Sequence, residues 1–190
     1  GNGNDFTISN IATTEITTDS PTQNHATLSP NFSGTVGLSE GNLKFTHNAG
    51  TNWETGFVDK VVDSGKWYFE VTGTTVPSFF LIGLAKFSEA DGINNSKTTY
   101  VGDNAGSYGM QFYDSGDDYV YADGANYLRG SRTALSTGNI IGVAYDGDTG
   151  AYWLAVNNTW AHSGNPSTGV NPIFSYTPKK QILFGISTYN

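Results

Sequence analysis

Lys66-Trp67-Tyr68-Phe69-Glu70-Val71-Thr72 decides the fold. Successive strand residues point to opposite faces, so Trp67, Phe69 and Val71 share one face and Tyr68, Glu70 and Thr72 the other. Aromatic and β-branched residues fit such a pleated surface, and Gly65 supplies the turn in front of it. Downstream, residues 79–86 are nearly all apolar, the mark of a strand buried on both faces. Residues 139–145 and 151–156 read as two strands joined across Asp146-Gly147-Asp148-Thr149-Gly150. The second turns at Asn157-Asn158 into Thr159-Trp160-Ala161, because paired Asn residues accept the positive φ angles of a type I′ hairpin.

Strands at this spacing, separated by turn formers, predict an all-β chain folded as a two-sheet antiparallel sandwich. No stretch keeps a 3.6-residue period, so helix beyond a turn or two is not expected. Upstream, 6–11, 43–46 and 53–58 read as short strands and 17–22 as a turn. The sandwich interior is expected to hold Trp67, Phe69, Phe80, Ile82, Leu84, Ile141, Val143, Leu154, Phe184 and Ile186. Residues 1–10 read as a flexible Gly/Asn lead-in to a longer protein's module, and 11–190 as one domain.

The net charge is −8, with 9 basic residues spread along the chain, so phosphate-rich partners are disfavoured: no nucleic acid and no anionic membrane surface. No apolar run has the length of a membrane-spanning helix. Without cysteine there is no disulfide, thiolate metal site or thiol nucleophile.

Candidate chemistry is sparse. Glycoside hydrolysis needs two carboxylates facing one another at about 5–9.5 Å. Glu70 has no acidic neighbour two or four residues away on its strand, and Asp146 and Asp148 sit in a turn. His25, His47 and His162 lie in polar stretches and read as surface residues, and no Gly-x-Ser-x-Gly elbow occurs. No enzyme and no cofactor is expected. Asp146 and Asp148, with Asp114 in Asp114-Ser115-Gly116-Asp117-Asp118, are weak calcium candidates, because such turns more often use their carboxylates on local backbone N–H groups. Aromatic residues give the stronger binding signal. Tyr100, Tyr108, Tyr113, Tyr119, Tyr121 and Tyr127 lie among Gly, Asp, Asn and Ser, a composition that offers rigid, amphipathic contact surface. Tyr119 and Tyr121 read as packing residues, whereas Tyr100 and Tyr127 suit contact as well as packing.

Gly65-Lys66-Trp67-Tyr68-Phe69-Glu70-Val71, Ile82-Gly83-Leu84-Ala85, Ser107-Tyr108-Gly109, residues 138–146 and Leu183-Phe184-Gly185-Ile186 together resemble the SPRY domain. That resemblance implies a concanavalin-like β-sandwich, jelly-roll in type, that binds partners without catalysis. It implies contact residues at one end of the sandwich: Tyr100, Val101 and Gly102, then Leu183, Phe184 and Gly185, with Tyr127 added from the loop composition. The basic, Pro-rich loop of peptide-binding members is missing, and Thr55-Gly56-Phe57-Val58-Asp59 stands in its place.

The lead-in phrases Asp19-Ser20-Pro21-Thr22, Ala26-Thr27-Leu28-Ser29-Pro30 and Leu38-Ser39-Glu40-Gly41-Asn42-Leu43 look like those before SPRY modules in tailed-phage virion proteins. They imply a virion module of a tail fibre, tail tip or capsid decoration that recognises a host-surface glycan or protein, or another virion protein. Oligomerisation through a parent fibre is compatible with that reading. The alternative is a protein–protein adaptor recognising a short peptide.

Overall fold

The computed structural model describes residues 5–7, 26–33, 36–48, 50–75, 79–94, 98–113, 117–131, 135–175 and 181–189. In chain order the strands are β1 Asp5–Thr7, β2 Gly37–Ser39, β3 Lys44–Thr46, β4 Trp53–Phe57, β5 Lys66–Gly73 and β6 Phe79–Lys86. A two-turn helix, α1 Phe87–Asn94, precedes β7 Ser107–Tyr113, β8 Asp117–Ala122 and β9 Ala125–Ser131. Then come β10 Ile140–Asp146, β11 Ala151–Val156, β12 Thr159–Trp160 and β13 Ile182–Tyr189.

Among the described residues these strands form two antiparallel sheets. The first runs β12-β11-β10-β5-β1-β3-β2 and the second β4-β13-β6-β7-β8-β9. Neighbours distant in sequence are paired in both: β5 lies beside β10, and the last strand, β13, inserts between β4 and β6. The two-sheet sandwich is the expected architecture, and the strands anticipated from 43–46, 53–58, 66–72, 79–86 and 139–156 all form. Asp5–Thr7, inside the expected lead-in, pairs with both β3 and β5, while Ile8–Ile11 and the 17–22 turn lie outside the described residues.

Alternation sorts the side chains as anticipated. Phe69, Val71, Ile141, Val143 and Leu154 of the first sheet meet Phe80, Ile82, Leu84, Phe184 and Ile186 of the second in one buried cluster, with Trp67 packed at its margin. Across the interface the rings of Phe69 and Phe184 lie 4.6 Å apart. The buried Tyr152 hydroxyl, on the first sheet, donates to the Ile82 carbonyl of the second at 3.2 Å, which satisfies the one polar atom its ring carries inward. Asn157 and Asn158 adopt φ of 48° and 63°, as the type I′ reading requires, and the Asn157 side-chain oxygen accepts from the Ile140 N–H.

The outer face of the second sheet is also covered. Phe57, Ala85 and Leu183 point away from the main core and pack with Ala90 and Ile93 of α1 and with Val101. The segment before β7 therefore lies across this face, and it positions the candidate site.

Candidate functional site

The segment 98–106 is seated by a glycine row. Gly185, Gly83 and Gly109 are paired side by side on β13, β6 and β7. A methyl group on Gly109 would come within 2.3 Å of the Val101 carbonyl oxygen, and one on Gly185 within 2.9 Å of the Val101 side chain. Only glycine lets the segment approach so closely. Val101 N–H then donates to Ser187 Oγ at 3.0 Å, and Ser187 Oγ meets Thr55 Oγ1 at 2.7 Å, all of it buried. Farther along, Gly102 and Asn104 N–H both donate to Ser107 Oγ, and the Ser107 hydroxyl donates to Asn104 O.

This seat carries Tyr100 onto the sheet. Its ring lies 4.6 Å from Trp53 of β4 and 5.2 Å from Tyr121 of β8. Trp53 in turn contacts Tyr189 at 5.4 Å and Phe79 at 6.5 Å. All five rings are half-buried, so each keeps part of its surface in water. The result is an aromatic surface over the outer face of the second sheet, assembled from β4, β6, β8, β13 and the 98–106 segment. Below it runs a paired row of Thr55, Ser187, Leu81 and Gln111 with Tyr119 at its end.

The residues expected at the contact surface are thereby divided. Tyr100 stands in the aromatic surface. Val101 and Leu183 are brought together, but as buried partners in the cluster beneath α1, and Gly102 is buried against Tyr121. Phe184 is 5% exposed and packs between Phe69 and Tyr145, so its ring is core and not part of an exposed patch. The cause is the pleat: Leu183 and Phe184 are adjacent on one strand and must face opposite ways. Tyr127 is 58% exposed, and its register partner on β8 is Val120, which faces the core, so it lies on the opposite side of the sheet from Tyr100 and Tyr121. Trp53, Phe79 and Tyr189 join Tyr100 although no local pattern marked them.

The acidic candidates behave as turn formers. Asp146 Oδ1 accepts from the N–H groups of Asp148 and Thr149 at 3.0 and 3.2 Å, and Asp148 Oδ1 accepts from Gly65 N–H at 3.3 Å. Asp114 lies outside the described residues. No group of three or more His, Asp or Glu side chains that could hold a metal occurs among the described residues.

His47 corrects the surface reading: it is 5% exposed. Its Nε2 donates to the Gly50 carbonyl, its Nδ1 lies 2.9 Å from Thr188 Oγ1, and the buried Glu54 carboxylate is 3.6 Å away. Glu54 comes from β4 and Thr188 from β13, so the polar neighbours of His47 in sequence gave no sign of its burial. His162 is half-buried, and His25 lies outside the described residues.

Near the seat, the Tyr108 hydroxyl donates to Asp123 Oδ2. Burial first, then that hydrogen bond and the aspartate charge, raise its pKa well above the ordinary tyrosine value. On the outer face of the first sheet, burial and the hydrogen bond from Tyr68 to Glu70 do the same for Tyr68.

Compared by sequence, the chain matches no family profile and no curated protein. Compared by structure, it is similar to the TRIM65 PSpry domain, with a TM-score of 0.55 at 11% identity over 87% of this chain and 84% of that one. It is similar to the SPRY domain of human HERC1, with a TM-score of 0.57 at 10% identity over 86% and 90%. It also resembles stonustoxin, with a TM-score of 0.55 at 14% identity over 86% of this chain and 26% of that larger one. At such identities the likeness is one of architecture. The chain has the fold of a SPRY domain.

Proposed function

We propose that this chain is a non-catalytic binding module that docks a protein partner on the aromatic surface around Tyr100. The carrying observation is the contact of Tyr100 with Trp53 and Tyr121 on a backbone segment pinned by Ser187 and the glycine row. Aromatic anchors held rigidly lose little entropy on binding and dominate interfaces. The SPRY-type fold supports a partner-binding role, and fold alone does not fix the partner. Selection of peptides from a random library on the wild-type domain tests the proposal. Tyr100→Ala should weaken the selected peptides by about tenfold or more, in line with a hot-spot loss of roughly 2 kcal/mol, whereas Tyr127→Ala should not. Unchanged affinity in Tyr100→Ala overturns the proposed surface.

A second reading is a virion-borne module facing a host-surface glycan. It is favoured by the rings themselves, whose flat apolar faces also stack on sugars, and by the lead-in phrases at 26–30 and 38–43. Sugar-specific signal on a glycan array, lost in Tyr100→Ala, would select it over the peptide reading.

A further inference from the structure

The outer face of the first sheet, the sheet that does not carry Tyr100, has an aromatic corner of its own. Glu70, Gly142, Ala155 and Trp160 are paired side by side across β5, β10, β11 and β12. Tyr68 leans over this row: a methyl group on Gly142 would come within 2.7 Å of the Tyr68 hydroxyl oxygen. Glycine there lets the phenol end of the ring settle on the backbone. Trp160 stands beside it, with ring centroids 6.3 Å apart and planes inclined at 65°. The buried Ala144, Ala151 and Trp153 pack against the two rings. Tyr68, Glu70 and Trp160 are themselves only half-buried, so the corner opens to water.

The charge at this corner is one-sided. Tyr68 donates to Glu70 Oε1 at 2.6 Å, the only hydrogen bond of the Glu70 side chain among the described residues. Oε2 is left for another partner. β10, β11 and β12 carry no Lys or Arg. On β5, Lys66 lies four residues from Glu70, about 13 Å along the strand, and stands opposite Asp146. We propose that this corner binds an organic cation of the quaternary ammonium class, with its methyl groups against Tyr68 and Trp160 and its charge toward Glu70. Aromatic faces attract a cation electrostatically, and a carboxylate beside them adds the opposite charge. A quaternary ammonium has no N–H, so it leaves intact the hydrogen bond that Tyr68 makes to Glu70. The primary ammonium of lysine is strongly hydrated and loses more on leaving water, which disfavours it here. A sugar would call on several hydroxyl partners, whereas the hydroxyl and carboxylate of this corner are already bonded to each other. The site lies on the opposite sheet from the proposed partner surface and does not depend on it.

Choline chloride is the probe, and the control is its uncharged isostere, the alcohol in which carbon replaces the nitrogen. Each is titrated into the nitrogen-labelled chain at constant ionic strength while the tryptophan indole signals are followed. The Trp160 signal should move and saturate with choline while that of Trp53 stays in place. The neutral alcohol should need about tenfold more to reach the same shift, the scale of a cation held by aromatic faces. Glu70→Gln keeps an acceptor for the Tyr68 hydroxyl and removes the charge. It should weaken choline about tenfold and leave the alcohol unchanged, with unmoved Trp67 and Trp153 signals showing that the fold is kept. Equal half-saturation by choline and the alcohol in wild type, or a Trp160 signal that choline does not move, overturns the proposal without recourse to any variant. Wild-type choline affinity in Glu70→Gln overturns the role given to the carboxylate. Movement of Trp160 with methyl glucoside but not with choline overturns the cation and assigns the corner to sugars.

Discussion

Val101 N–H donates to Ser187 Oγ at 3.0 Å across 86 positions of sequence, and this bond helps to seat the segment that carries Tyr100. Ser187→Ala leaves a buried N–H without a partner, at a cost of about 1–3 kcal/mol. Urea unfolding should show that loss. Hydrogen exchange at Val101 should quicken more than exchange in β10, and equal quickening throughout would mean that the bond does not hold the segment.

Gly109→Ala should be worse. The added methyl would lie 2.3 Å from the Val101 carbonyl oxygen, and backbone on both sides cannot yield as a flexible side chain can. We expect destabilisation of at least 1–3 kcal/mol, the usual cost of overpacking a tight site, together with weaker partner binding. A variant with wild-type melting temperature and affinity would show that the segment is not seated on this row.

The 157–158 turn separates two effects. Both residues have positive φ, but only the Asn157 side-chain oxygen accepts an N–H bond, from Ile140 at 2.9 Å. Asn158→Gly should be neutral to mildly stabilising, since glycine accepts that φ without strain. Asn157→Gly should cost about 1 kcal/mol for the lost bond. Equal effects measured by thermal unfolding would contradict the assignment.

Alkaline pH should unfold the chain through its tyrosines. Tyr68, Tyr108 and Tyr152 keep their protons above the ordinary value of 10.0, Tyr152 through burial alone. The unfolded chain ionises near that ordinary value while the folded chain does not, so the unfolded state binds fewer protons there. Stability is therefore fully present below pH 10.0 and falls as pH rises above it. Tyr152→Phe should flatten that fall in a series of urea titrations at increasing pH. An unchanged slope would mean that Tyr152 ionises freely in the folded chain.

The sandwich was legible because alternation is local: Trp67, Phe69 and Val71, or Phe80, Ile82 and Leu84, announce their face within one strand. The same rule applied to Ile182, Phe184 and Ile186 places Phe184 inward, against its reading as a contact residue carried over from the resemblance. The site was legible only at Tyr100. Trp53, Phe79, Tyr121 and Tyr189 converge from four strands, and pairings such as Trp53 with Tyr189 are set by sheet order, which no short stretch encodes. Likewise, the alternation of Gln111 with Met110 and Phe112 turns it away from the core. It is buried there as well, which its neighbours in sequence do not signal.

A partner seated on the Tyr100 surface of the second sheet would be reported directly by the 4 tryptophans. Trp53 lies in that surface. Trp67 and Trp153 lie in the first sheet with their indole N–H groups bonded to Ser64 O and Val170 O, and Trp160 lies at that sheet's edge beside Tyr68. Nitrogen–proton correlation spectra should be recorded while a library-selected peptide is titrated to saturation. The Trp53 indole signal should shift while those of Trp67, Trp153 and Trp160 stay in place. A stationary Trp53 signal with movement at Trp67 or Trp160 would contradict it.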